Sequence, residues 1–414
     1  MTDSGIRLED FLGAEDLAEV DAVGPVEILV GVPALNHARS VIPVLGALIE
    51  GLERSVPTRK TAVLVADAGS QDGTLEAVRA WTETATSITA VRGVRLTGPP
   101  QRGRAILTLV AAARRLAVRG VCLMDADLIG VRPEWVERLL DPVLREEAAY
   151  VSPAYTRTVL EGTLTTNLLA PLARALYGKR LQQLVGGCAG LSAGLLSRLV
   201  ERDGWDRVLV AHGVEVRLVT EALVSGHPIV ETHLGSKRVD VGLGQPDLAT
   251  TLAGVVGPIF QLMDRYRTVW QEMRGSVPVI QRGDPPVLRV VGEVPAERMV
   301  RAFRLGLKDL LPVWEQILPD ETLGHLYPLG VLAADEFRFP VSLWARVVSD
   351  FAVAHHERRV APDHLLRALT PLYLGRVVAF LFEAQAARSG RPAILETIGE
   401  AFEAEKEYLT ARWR

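Results

Sequence analysis

The feature that most restricts how this chain can fold lies in its first 125 residues, where short β-rich runs alternate with helical stretches. Val26–Val32 (VEILVGV) is an apolar, β-branched run closed by Pro33. Residues 40–54 place Val41, Val44, Leu45, Leu48, Ile49 and Leu52 at helical spacing. Thr61–Ala66 (TAVLVA) predicts a second strand that runs into the turn Asp67–Ala68–Gly69–Ser70. Asp72–Gly73–Thr74 then opens a helix to Glu83, capped by Ser70 or Asp72. Residues 88–96 (ITAVRGVRL) read as a third strand and 103–118 as a helix. Gly120–Met124 (GVCLM) is a fully apolar strand that stops at Asp125. Such alternation implies a mostly parallel sheet covered by helices on both faces. Sheets of this kind gather their ligands beyond the carboxyl ends of the strands. Three of the strands end in polar turns, at Pro33–Asn36, Asp67–Ser70 and Asp125–Asp127, which predicts one shared site.

Beyond this region, helices are expected at 134–146, 163–179 and 213–225. Gly and Pro cluster in Gly275–Pro286 (GSVPVIQRGDPP), the signature of a linker. After it the chain reads as almost wholly helical, for example at Ala296–Leu311, Val341–His355, Pro362–Leu369 and Gly375–Ala387. A chain of 414 residues strains a single core, so more than one domain is expected. The division is an N-terminal extension (1–24), an α/β, Rossmann-like domain (25–285) and a helical C-terminal domain (286–414).

A net charge of −4 gives no general attraction to nucleic acid or to anionic lipid, so a phosphate-bearing ligand needs a local site. The two cysteines, Cys122 and Cys188, fit a reducing cytoplasm. The N-terminus is acidic and polar, unlike a signal peptide. Residues 105–123 are interrupted by Arg114, Arg115 and Arg119, which argues against insertion in a membrane. The expectation is a soluble cytoplasmic protein that binds neither nucleic acid nor membrane, with apolar C-terminal helices suited to a homodimer.

Asp125-x-Asp127 directly follows a buried strand. Two carboxylates at this spacing can turn toward one hard cation, Mg²⁺ or Mn²⁺, which takes oxygen ligands and keeps positions open for phosphate. Asp67, beside Gly69 and Ser70, can accept hydrogen bonds from a base or ribose where the backbone permits close approach. Arg102 and Arg104 flank Gly103 at the expected start of a helix, where guanidinium and exposed amides together suit phosphate. Each of these alone also fits an ordinary solvated turn or loop; their convergence is what carries weight.

In order, GVPALNHARSV, VADAGSQDGT, PPQRGRA and MDADL resemble the nucleotide-sugar motifs of GT-A fold glycosyltransferases. YGKRLQQLVGGCAGLSAGLL, AHGVEVRLVTEAL, LGSKRVD and LTPLYLGRVVAFLFE narrow the resemblance to the retaining glucosylglycerate, mannosylglycerate and glucosyl-3-phosphoglycerate synthases, over residues 26 to 390. This resemblance implies a hexose, glucose or mannose, moved with retention from a UDP- or GDP-linked donor to a small carboxylate acceptor such as D-glycerate or 3-phosphoglycerate. It implies donor contacts from Pro33, Ala34, Asn36, Asp67, Arg102, Gly103, Asp125, Gly187 and Cys188. Asp125 and Asp127 would bracket the metal, and Glu215, Asp127 and His212 would stand near the reacting groups.

The chain departs from the family at two positions. An acidic residue usually follows the paired glycines, whereas Cys188 follows Gly186–Gly187 here. A metal-ligating His is expected after a Gly-x-Lys pattern, and Val239 occupies that place, leaving Asp240 or His233 as substitute ligands. A catalytically impaired, ligand-binding paralogue is therefore the competing expectation. His37 and the pair His355–His356 read as structural, Tyr155–Arg157 as a weak donor or acceptor candidate, and Arg376 as a helix-surface residue.

Overall fold

The computed structural model describes residues 7–84, 87, 89–201, 205–240, 247–284, 288–289, 294–386 and 391–414. Its strands are β1 (Ile28–Ala34), β2 (Thr61–Asp67), β3 (Ala90–Arg95), β4 (Gly120–Met124), β5 (Tyr150–Thr158), β6 (Lys179–Arg180), β7 (Cys188–Ser192), β8 (Ile229–Ser236), β9 (Val277–Pro278), β10 (Ile280–Arg282) and β11 (Leu288–Arg289). The main sheet runs β10-β8-β5-β7-β4-β1-β2-β3. β1 pairs in parallel with both β2 and β4, and β2 with β3. β7 enters antiparallel between β4 and β5, so the sheet is mixed. The expected alternation of strand and helix holds through Met124.

Why β1, β2 and β4 lie central follows from their burial: nearly every residue in them is sealed, as a strand covered on both faces requires. One side is filled by Val30, Val32, Leu45, Leu48, Val136 and Leu139, which bring the helices Val41–Ser55 and Glu134–Leu144 onto the sheet. The described part of the N-terminal segment, residues 7–24, lies along β3. Leu12 bridges Leu96, and the Arg95 amide donates to Asp16 at 2.9 Å.

The chain packs as two compact units. The first comprises Met1–Tyr155, Val185–Gln245 and Ile280–Pro285; the second comprises Thr156–Leu184, Pro246–Val279 and Pro286–Arg414. The expected domains meet at a single point near 285, whereas these units interleave. The Gly275–Pro286 stretch is also no plain linker, since β10 within it pairs in parallel with β8 from Val230 to Thr232.

The second unit is mainly helical. Its interior holds Trp314, Trp344, Phe303, Phe337 and Phe351, all fully buried. Arg376, expected on a helix surface, is also fully buried there. It donates to Asn167 Oδ1, the Phe339 carbonyl and Glu383. A guanidinium with its donors matched in this way is a packing element. The stretch Pro362–Ala386 is long and apolar enough to cross a membrane by length and composition, and 72% of its most apolar window is buried inside the protein.

Candidate active site

The first unit gathers the three polar turns at the carboxyl ends of β1, β2 and β4: side-chain hydrogen bonds join the first two, and the Ala126 amide donates to the Pro33 carbonyl at 3.4 Å. Asn36 adopts a left-handed backbone, φ 61°, a conformation Asn tolerates better than most residues. Its amide donates to Ser70 Oγ at 2.8 Å, and its side-chain oxygen accepts from the Gln71 amide at 2.9 Å. Ser70 in turn donates through Oγ and its amide to Asp67 Oδ1. Asp67 is fully buried, and its Oδ2 has no hydrogen-bond partner; Arg95 stands 3.8 Å from it. Asp67 thus fixes the β2 turn from beneath, and that turn fixes Asn36.

Arg102 opens the helix Arg102–Arg115 and bridges two carboxylates. One terminal nitrogen lies 2.5 Å from Asp125 Oδ1 and the other 2.6 Å from Glu215 Oε2. Glu215 sits in the first turn of the helix Val214–Val224, which follows a π-helical turn, Leu209–Gly213. That turn crowds the start of the Arg102 helix. A Cβ added at Gly103 would fall 2.0 Å from the Val210 carbonyl oxygen, so only glycine permits the approach. Gly187, with φ +80°, sends its amide to Glu215 and accepts at its carbonyl from the Asp125 amide at 2.8 Å. Lys237 Nζ donates to the neighbouring Gly186 carbonyl at 2.9 Å.

Electrostatics divide the two carboxylates. Burial works to raise Glu215, but Arg102 outweighs it, with help from Lys237 and the Gly187 amide, and holds it below its ordinary value. Asp125 moves the other way. Burial raises it, and the nearby Glu215 and Asp127 add to that rise against the pull of Arg102. Arg102 and Lys237 thus face three carboxylates, Asp125, Glu215 and Asp127, so negative charge is left in excess. That is a setting in which an additional cation is favoured.

Asp127 follows on the same turn. Its carbonyl accepts from the Asp240 amide at 2.8 Å, while its Oδ1 is buried without a partner. His37 feels Asp127, Asp72 and Asp240, although burial is the larger influence and lowers its pKa. Among the described residues, no group of three or more His, Cys, Asp or Glu is arranged to hold a metal ion by itself. The orphaned Asp127 oxygen, with Asp240 beside it, does fit Mg²⁺ or Mn²⁺ arriving with a diphosphate. Such ions use one or two carboxylates and complete their shell with phosphate oxygens and water.

The other expected ligands fare differently. Asp125 is engaged by Arg102. His233, on β8, has Arg138, Asp284 and Arg132 as its charged neighbours, and Asp127 is not among them. Val239 packs against the hydrophobic core. His212 lies on the π-helical turn, with its side chain outside what the structure describes. Cys188 begins β7 and is buried, with Sγ 3.0 Å from the Tyr155 hydroxyl. Burial pushes its thiol up to about 12, so the position offers a neutral group. Tyr155 also donates to the Gly186 carbonyl at 3.0 Å, giving it a supporting place behind the paired glycines.

Pro33, Arg102, Asp125, Gly187, Cys188 and Glu215, among others, line a small cleft with room for about one water molecule. Sequence reasoning gave Ser70 a turn or capping place but not its bonds to Asp67 and Asn36, did not pick out Lys237 or Tyr150, and treated His37 as structural. Ser70 and Lys237 stand within quoted motifs, but nothing in their spacing marks them; Tyr150 lies on a strand that was not expected.

Residues 29–203 match the family model for Glycosyl transferase family 2. No curated protein matches the chain. Among solved structures, the chain is similar to glucosyl-3-phosphoglycerate synthase from Mycobacterium tuberculosis in complex with phosphoglyceric acid. Identity is 24%, coverage is 60% of this chain and 83% of that chain, and the TM-score is 0.41. The same enzyme in complex with Mg²⁺ and uridine-diphosphate aligns at 25% identity over 60% of this chain and 83% of that one, with a TM-score of 0.40. A mycobacterial protein aligns at 25% identity over 60% of this chain and 78% of its own, with a TM-score of 0.41. The mixed, Rossmann-like sheet and the match over residues 29–203 identify a GT-A-like fold, accompanied by a separate C-terminal helical region.

Proposed function

We propose that the protein is a retaining glycosyltransferase that moves a hexose, glucose or mannose, from a UDP- or GDP-linked donor to a small hydroxy acid. D-glycerate and 3-phosphoglycerate are the acceptors suggested by the later sequence segments. The observation that carries this reading is the convergence of Arg102, Asp125, Asp127 and Glu215 at the strand ends of a fold matched to Glycosyl transferase family 2. Residues 25–285 would supply the catalytic domain, and residues 286–414 the helical one.

In this reading, the donor diphosphate lies against the start of the Arg102–Arg115 helix, where amides and the positive end of the helix dipole favour anions. Asp127, with Asp240 beside it, would hold Mg²⁺ or Mn²⁺, which when bound neutralises charge on the diphosphate. Arg102 keeps Asp125 and Glu215 in place beside the sugar. The bond from the anomeric carbon to the phosphate oxygen breaks, and the acceptor oxygen bonds to that carbon on the same face. The acceptor's hydroxyl proton passes to the departing diphosphate. No dedicated protein base is needed, so rate comes from positioning and preorganised charge.

Calorimetry with UDP and GDP, each with and without Mn²⁺, followed by a donor-by-acceptor screen with mass detection, tests the reading. Absence of binding to every nucleotide–metal pair would sink it. A second reading, a binding protein without turnover, is favoured by Val239 packing into the core where a His ligand was expected. Binding without product in the full screen would select it.

A further inference from the structure

A single peptide unit joins Lys237 to Glu215. Its carbonyl is that of Gly186, which accepts from Lys237 Nζ at 2.9 Å and from the Tyr155 hydroxyl at 3.0 Å. Its N–H is that of Gly187, which donates to the Glu215 carboxylate. A peptide unit is planar, so fixing the direction of the carbonyl fixes the direction of the N–H. Lys237 and Tyr155 thus grip one edge of a rigid plate, and Glu215 is held at the other. Glu215 in turn takes Arg102 at 2.6 Å.

Both residues of this unit are glycines, the residue type with the widest choice of backbone directions, so outside contacts must choose its orientation. Gly187 is at φ +80°, and a Cβ there would fall 2.9 Å from Asp125 Oδ2 and 3.3 Å from Lys237 Nζ. Of the two donors to the Gly186 carbonyl, Tyr155 also contacts Cys188 Sγ at 3.0 Å, whereas Lys237 brings a charge. A charge-assisted bond is roughly twice as strong as a neutral one. It also polarises the peptide, which strengthens the N–H bond to Glu215. Lys237 stands just beyond β8, and the Asp240 amide three residues on donates to the Asp127 carbonyl at 2.8 Å, so the segment that carries the ammonium is anchored at a second point.

We propose that Lys237 is a positioning residue: acting through the Gly186–Gly187 peptide, it holds the Glu215 carboxylate in the orientation that transfer requires. The proposal rests on the glycosyltransferase reading. It differs from a role as a ligand of the donor phosphates, because its effect must pass through Glu215.

The test is a double-mutant cycle on the full chain, run with the donor and acceptor that the product screen selects. Lys237→Met should lower kcat about 10-fold, the scale of one hydrogen bond, while KM for the donor and affinity for the bare nucleoside diphosphate stay within about 2-fold. Lys237→Arg, which can still donate to the Gly186 carbonyl, should recover most of the rate. In a Glu215→Ala background, where no carboxylate remains to be oriented, Lys237→Met should cost nothing further. Equal losses in the two backgrounds would overturn the proposal. So would a Lys237→Met enzyme as fast as the wild type, or one that loses the bare nucleoside diphosphate as strongly as it loses rate. If Lys237→Met does not fold, Lys237→Gln, a shorter and neutral donor, carries the same cycle. A smaller loss of kcat that vanishes in Glu215→Ala supports the proposal; no loss, or one that persists there, overturns it. A wild type that makes no product in the whole screen would instead remove the underlying reading, and the proposal with it.

Discussion

Arg102 and Glu215 are 113 residues apart in sequence and 2.6 Å apart in the fold. The contact ties the start of one helix to the start of another, and Asp125 completes it from the end of β4. Arg102→Met would leave two buried carboxylates without their cation. Breaking a fully buried pair costs about 3–5 kcal/mol, and the Arg102 side chain is 36% exposed, so solvent screening brings the expected loss to about 1–3 kcal/mol. Arg102→Lys should lose less but still weaken the site, because an ammonium cannot span both acids as a planar guanidinium does. Urea midpoints of the three proteins check the order.

Asp127→Ala separates stability from ligand binding. The substitution removes a buried oxygen that has no partner, so the thermal midpoint should hold or rise. The enhancement of nucleotide binding by Mn²⁺ should be lost. Calorimetry with and without the ion reads the second effect, and a fall in both quantities would count against the assignment.

Gly103→Ala is expected to be disruptive for its size. The new methyl would meet the Val210 carbonyl at 2.0 Å, so the π-helical turn before Glu215 must shift. Overpacking of this kind costs about 1–3 kcal/mol. A loss of activity larger than the loss of stability would show that the turn positions Glu215.

A separate prediction concerns pH and the helical unit. Burial raises the Asp350 carboxyl to about 6, against Tyr408, Arg412, Thr322 and Arg346, which favour its ionised form. A carboxyl raised on folding favours the folded state below its unfolded pKa, and that contribution fades as pH rises through the folded value. Stability should therefore drift downward between pH 4 and 6, by about 1–3 kcal/mol at most. Asp350→Asn removes the titration, so the variant should gain on the wild type across that window. Urea unfolding at pH 4 and 6.5 gives the difference.

The first three strands and the β4 strand were legible because each is a nearly unbroken apolar run that ends in a polar turn. The later strands were not. Pro153 interrupts β5, and its pairing with β7 stops at Val151. Cys188–Ser192 is short and small in its side chains, so its place between β4 and β5 is a tertiary fact. β8 hides Glu231, a fully buried carboxylate satisfied by Gln281 from β10, which reads in sequence as a surface residue. The turn motifs likewise pointed to a shared site, but spacing alone could not reveal that Asp67 reaches Asn36 only through Ser70. Nor could it show that Val239 turns to the core.

The interleaving of the two units has a consequence for how the protein is made. Arg174 finds its carboxylate partners at Glu396 and Glu403, and the carbonyl of Asn167 accepts from the Trp344 indole. A ribosome adding about 5–20 residues per second needs roughly 10–45 s to travel the 222 residues from Arg174 to Glu396. Throughout that interval the segment around 165–177 has emerged without the groups that bury its charge. A chain ending at residue 285 would keep it in that state permanently. Emergence of the Arg391–Ala404 helix, rather than completion of the sheet, is then the event that supplies Arg174 with its carboxylates.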